Sequence, residues 1–296
     1  MKIIRPTTIT DAILTSSTVA ETDYAAYNAA TTYALGDRVI VTTGVHKIYE
    51  SLQAGNVGHA VTDDSWWLEI SATNRWKVFD GKIADQTSNA TSINYVLAPG
   101  AIDAIALLNM DATSVQITLT DPTYGVVYDQ TIDLVSTGNV VDGYTYFFEP
   151  IIRRTALALL DIPPYSAASG SITIANTGGT AKVGEIVLGR QSDIGETEYG
   201  PSIGIIDYSK KEADTFGNYI VLERAYSKRI SCQLFLLNGK VDEVVRQLEL
   251  YRATPLVWVA AEDFSSLIVY GFYKSFDIVI PGPTVSNCSL EIEGLT

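Results

Sequence analysis

"SINYVLAPGAIDAIALLNMDATSVQITLTDP", residues 92–122, sets three apolar runs between turn-forming clusters: Pro99-Gly100, Asn109 with Asp111, and Asp121-Pro122. Short runs rich in Val, Ile, Leu and Tyr, cut off by Gly, Pro, Asn and Asp, read as strands rather than helices. The rhythm continues outward through "VVYDQTIDL", "YTYFFEP", "ALALLDIP", "GSITIAN" and "VGEIVLGR". Eight such segments over 73–190 predict an antiparallel β-sandwich of the jelly-roll kind.

Toward the N-terminus, "YALGDRVIVTTGVHKIYES" supplies a Gly-Asp turn at Gly36-Asp37, a strand from Arg38, a tight turn at Thr43-Gly44 and a returning strand to Ser51. That is a β-hairpin. "SWWLEI" adds a third strand, so 26–72 is expected to be a small three-stranded unit. Alternation places Trp66, Leu68 and Ile70 on one face and Trp67 with Glu69 on the other. The face with three apolar residues is expected to be the core, leaving Trp67 outward. Residues 1–25, polar and rich in Thr and Ser, read as an arm ordered only against a partner.

Toward the C-terminus, "GKVDEVVRQLELYRAT" spaces Val241, Val244, Val245, Leu248 and Tyr251 helically, with Asp242 and Glu243 early and Thr254-Pro255 closing. Strand patterns flank it on both sides. Residues 191–296 are therefore expected to form an α+β domain with one helix across a sheet, entered through "GETEYGPS" at 195–202. The chain as a whole is expected to be mainly β.

A formal charge of −14 over 296 residues repels phosphate backbones, and no compact Lys/Arg stripe reverses this locally, which argues against nucleic acid. No apolar run is long enough for a membrane span, and the N-terminus does not read as a signal peptide. Two cysteines, Cys232 and Cys288, sit among core-facing neighbours and read as buried free thiols, in keeping with folding in a reducing cytoplasm.

Catalytic motifs are missing from the sequence. His46 and His59 are its only histidines; His46 lies at a hairpin turn and is expected to be a surface polar group. No zinc spacing, phosphate loop or nucleophile elbow occurs, so no catalytic residue, metal ligand or cofactor is assigned. Asp111, Asp121 and Asp129 fall at strand ends without forming a calcium-binding loop. Trp76 and Trp258 are expected to be packing residues.

Exposed aromatics are what is left. Residues 24–72 hold Tyr24, Tyr27, Tyr33, Tyr49, Trp66 and Trp67, more rings than so small a core needs. A flat ring with polar neighbours suits the C–H face of a sugar. The segment from Tyr27 to Ile70, with Tyr33, Gly36, Asp37, Val39, Tyr49 and the closing tryptophan pair, resembles chitin-binding type 3 modules, carbohydrate-binding families 5 and 12. The continuation "WWLEISATNRWKVFDGKIADQTS" is similar to tail proteins of tailed bacteriophages, and 73–190 resembles galactose-binding-like jelly rolls.

These resemblances imply a structural virion component of a phage tail tip or baseplate, assembled in the bacterial cytoplasm. They further imply homo-oligomerisation, contact with other tail proteins and binding of host-surface glycan. Trp67, Tyr49 and Tyr27 are the expected carbohydrate-binding or interface residues. The alternatives are a free carbohydrate-binding protein and, less favoured, a polysaccharide depolymerase.

Overall fold

A computed structural model describes residues 1–136, 141–213 and 215–296. The fold is mainly β, as the sequence predicts. Seven of the eight segments expected between 73 and 190 coincide with strands; the eighth, "YTYFFEP", lies in a one-turn helix, Gly143–Phe148. Asp142 caps that helix by accepting from the Thr145 N–H at 2.8 Å, while the Thr145 hydroxyl faces the Asp142 N–H. This reciprocal cap overrides the strand preference of the aromatics.

Two sheets form the sandwich. One has five strands in the order Leu14–Ser17, Thr87–Leu97, Ser169–Val183, Ser114–Asp121 and Gly125–Asp133. The other is longer and runs through the whole molecule. It begins with Ala156–Leu159, Ala104–Leu108 and Glu185–Asp193, continues through Lys2–Pro6 and Leu256–Val259, and proceeds to Ile268–Val279, Val285–Gly294 and Tyr226–Leu237. Ser202–Asp207 and Glu196–Thr197 both pair with this last strand.

The long sheet changes the reading of both ends of the chain. Residues 2–6 are not part of a loose arm but an interior strand, paired with Glu185–Asp193 on one side and Leu256–Val259 on the other. Ile3 and Ile4 point to opposite faces and are both fully buried. The sheet expected within 191–296 is continuous with the sandwich, because this first strand bridges them.

Curling of the long sheet explains its unbroken apolar runs. Ile105, Leu107, Leu157 and Ile186 face the five-stranded sheet, while Ala104, Ala106, Ala158 and Val187 meet Val257, Val259, Ile268 and Tyr270 on the other face. A strand covered on both faces has no reason to alternate. Close pairing is also enforced by Gly189, where a Cβ would lie 1.8 Å from the Arg5 carbonyl oxygen.

The predicted helix is present as Val241–Leu250 and buries Val244 and Leu248 against Ile230, Leu234, Trp258 and Leu290. Cys232 and Cys288 lie in the same core as free thiols, and burial pushes both up to about 11. Trp258 is completely enclosed and donates its indole N–H to the Gly271 carbonyl at 2.9 Å.

Glu185 is the one acidic side chain buried within the long sheet's strands. Its carboxyl accepts from the Gly81 N–H at 3.1 Å. Burial first, and the charge of Asp80 second, push its pKa up to about 9 from 4.5. Between those values the native state holds a proton that the unfolded chain releases. Stability therefore falls as pH rises through this window, by about 1.4 kcal/mol per pH unit. Glu185→Gln is expected to remove that slope, so that its melting temperature exceeds the wild type's at pH 8 and not at pH 4. Parallel melting-temperature profiles for the two proteins would refute it.

Candidate binding and interface sites

The 26–72 unit is a three-stranded sheet of Arg38–Val41, Lys47–Ser51 and Trp67–Ala72, matching the predicted hairpin and third strand. Register sets its faces. Val39 lies opposite Tyr49, and Ser51 opposite Trp67, so these four share one face. Loop residues Tyr27 and Tyr33 cover that face: the Tyr33 and Trp67 rings meet at 5.2 Å, and Tyr27 and Trp67 at 5.7 Å, both edge to face.

Trp67 is consequently only 2% exposed, and its indole N–H donates to the His59 carbonyl at 3.1 Å. The expectation of an outward Trp67 is overturned. Tyr49 is buried in the same cluster, and Tyr27 is half-buried with its hydroxyl donating to the same His59 carbonyl at 2.7 Å. Trp67, Tyr49 and Tyr27 thus come together as a core rather than a stacking surface. Alternation along the strand is right; the choice of core face is not, and Leu68 on the other face is 47% exposed. Apolar residues counted in one strand do not show which face the loops will cover.

Trp66 reaches the surface while its other side packs against that core. It is half-buried and stacked on the His59 imidazole at 3.9 Å, nearly parallel at 10°. Asp63 lies 4.0 Å from the same imidazole, and the Gln53 side-chain amide donates to the Ser65 carbonyl close by. A flat π surface edged by a carboxylate and an amide can stack on a sugar ring and bond its hydroxyls. The sequence predicts one tryptophan of the pair at the surface beside polar residues; in the structure the less buried of the two is Trp66, not Trp67.

Two further features face outward. Around the Gly143–Phe148 helix, Val141, Tyr144, Tyr146, Phe147, Phe148, Ile151 and Ile152 are all exposed, Phe147 by 77%. Four rings of roughly 200 Å² each, exposed by about seven-tenths, present on the order of 550 Å² of aromatic surface. A typical monomer's largest apolar patch is of that size, and here it sits on a single excursion.

The second feature is a β-ribbon. Ser202–Asp207 pairs with the start of Tyr226–Leu237, and beyond it Lys210–Ala213 pairs with Tyr219–Leu222. All eight residues of the two tip strands are exposed, including the consecutive Tyr219, Ile220, Val221 and Leu222. A two-stranded ribbon without a covered face is marginal in water, and its open edges offer backbone groups to another chain.

Between the sandwich and the base of the ribbon lies a cavity of about 280 Å³ lined by Leu108, Asn109, Tyr226, Lys228, Ile268 and Tyr270. Burial lowers the Lys228 ammonium's pKa and raises the Tyr270 phenol to about 12. Among the described residues no cluster of three metal-ligating side chains occurs, and no helix is long and apolar enough to cross a membrane. No protein-family model matches the chain, and no curated protein sequence matches it significantly.

Proposed function

We propose that the chain is a structural component of a bacteriophage tail tip or baseplate, built to contact other tail proteins and further copies of itself. The observation that carries this reading is the exposed ribbon tip, with four consecutive apolar residues on a two-stranded element that has no covered face. The aromatic helix excursion adds a second surface of the same character. Partner chains bury both, as assembly subunits require.

The test is immunogold labelling of tailed particles made by a strain carrying this gene. Gold confined to the distal end of the tail supports the reading; label absent from particles or spread along the tail overturns it. A variant with residues 210–222 replaced by a two-residue Asn-Gly turn is expected to keep the wild-type melting temperature within about 2 °C, since all eight residues of the two tip strands are exposed. The same variant is expected to be missing from particles, read by mass spectrometry of purified virions; normal incorporation counts against the ribbon.

The stacked Trp66–His59 pair favours a second, compatible reading, in which the 26–72 unit binds host-surface glycan. It would do so at Trp66 and not at Trp67.

A further inference from the structure

We propose that His46 is a doubly protonated clamp that fixes the 26–72 unit against the sandwich, and that loss of its proton releases the Asp11 strap. The expected surface position of His46 is itself corrected by the structure. His46 is at the hairpin turn, but only 8% exposed, and its backbone is left-handed at φ 50°. A non-glycine residue keeps that conformation only where its surroundings hold it there.

Two other segments do so. Nδ1 lies 2.9 Å from a Glu21 carboxylate oxygen, and Nε2 is in contact with the Asp11 carboxylate. Trp76 stacks on the ring at 4.0 Å, and the His46 carbonyl accepts from the Thr73 N–H at 2.9 Å. Asp11 and Glu21 come from the N-terminal segment, and Thr73 and Trp76 from the entry to the sandwich. His46 alone belongs to the hairpin between them.

Donor counting sets the protonation state. Ionised carboxylates only accept, so a ring with a carboxylate at each nitrogen must donate from both, and only the imidazolium can. Charge counting agrees. Asp11 and Glu21 contribute two negative charges, and Arg75, 3.6 Å from Glu21, supplies one positive charge. The imidazolium supplies the other, stacked on an indole face that favours cations. The remaining ionic neighbours are engaged elsewhere: Lys47 with Glu69 at 2.7 Å, and Asp23 with the Asn74 N–H at 3.2 Å. The Tyr95 hydroxyl donates to the Arg75 carbonyl at 2.6 Å.

Burial decides which contact breaks first. The Glu21 side chain is 8% exposed and cannot turn to water, and it also accepts from the Thr73 hydroxyl at 2.8 Å. The Asp11 side chain is 53% exposed. A neutral imidazole has one N–H, which stays with Glu21; Asp11 then faces a lone pair and turns outward. The Thr10–Leu14 turn, closed by the Ile13 and Leu14 N–H groups donating to the Thr10 carbonyl at 2.9 Å, then keeps its hold on the sandwich at Ile13 and Leu14 but loses the one at its Asp11 tip, so the turn opens more readily.

The experiment is a pH titration of the full chain, from about pH 6 to about pH 9, following the His46 ring nitrogens by long-range ¹H–¹⁵N NMR. Amide exchange is followed in parallel. The expected result is two protonated nitrogens near pH 6 and one titration step. Exchange at Ile13 and Leu14, corrected for its intrinsic pH dependence, rises with that step by at least about tenfold, the loss of one charge-assisted hydrogen bond. Exchange at Ile93 and Tyr95 does not change. In Asp11→Asn, exchange at Ile13 and Leu14 is expected to be raised already near pH 6 and to respond no further to the ring's proton. In the wild type, a neutral imidazole near pH 6, or exchange at Ile13 and Leu14 indifferent to the ring's proton, would overturn the proposal. Asp11 is on a surface turn, so this variant tests the clamp even if His46→Gln fails to fold.

Discussion

Trp67→Ala is expected to unfold the 26–72 unit, whereas Trp66→Ala leaves it folded. Trp67 is enclosed by Tyr27, Tyr33 and Tyr49 and supplies the largest buried side chain of a cluster with only four fully buried members. Truncating a buried tryptophan costs about 3–5 kcal/mol, more than so small a unit can spare. Amide resonances of 26–72 should collapse to random-coil positions while those of the sandwich persist. Trp66 is only half-buried, stacked on His59 and packed at the edge of the same cluster, and its loss is expected to cost about 1–2 kcal/mol, within what the unit tolerates. Under the glycan reading, Trp66→Ala also abolishes retention on chitin or bacterial cell-wall resin. Well-dispersed 26–72 resonances in Trp67→Ala would sink the core assignment; undiminished retention of Trp66→Ala would sink the stacking one.

The second large effect lies at the other end of the molecule. Ile4→Asp is expected to destabilise the whole chain by more than about 4 kcal/mol, because it buries an unpaired charge at a position with no exposure. The strand it occupies has neighbours on both sides, so its loss leaves Glu185–Asp193 and Leu256–Val259 with unpaired backbone edges. The variant is expected to be insoluble or to unfold at far lower urea. Ile4→Val supplies the graded case, expected to cost about 1 kcal/mol through the missing methylene. A wild-type urea midpoint for both variants would show that the first strand is dispensable.

Strand positions were legible in the sequence because the turn formers are local. Pro99-Gly100, Asp121-Pro122 and Gly44 punctuate the chain where the backbone must reverse, and no distant residue is needed to see it. The Val241–Leu250 helix was legible for the same reason, since its apolar spacing is a property of neighbours along the chain. "YTYFFEP" was misread because one side-chain cap, Asp142 with Thr145, outweighed the strand preference of four aromatics.

Local pattern therefore determined a mainly β chain with a hairpin unit, a sandwich and a helix-bearing end. Which face of each strand is inside was decided in three dimensions, by groups far apart in the sequence. Trp67 rather than Trp66 is buried because Tyr27 and Tyr33 close over the Tyr49 face. Residues 2–6 form an interior strand because partners some 185 and 255 positions away leave a gap of one strand's width between them. His46 is held because carboxylates 35 and 25 positions before it converge on its two nitrogens. Backbone hydrogen bonds and charge pairs act over a few ångströms in space, whatever the distance along the chain, so only the folded molecule shows which residues they join.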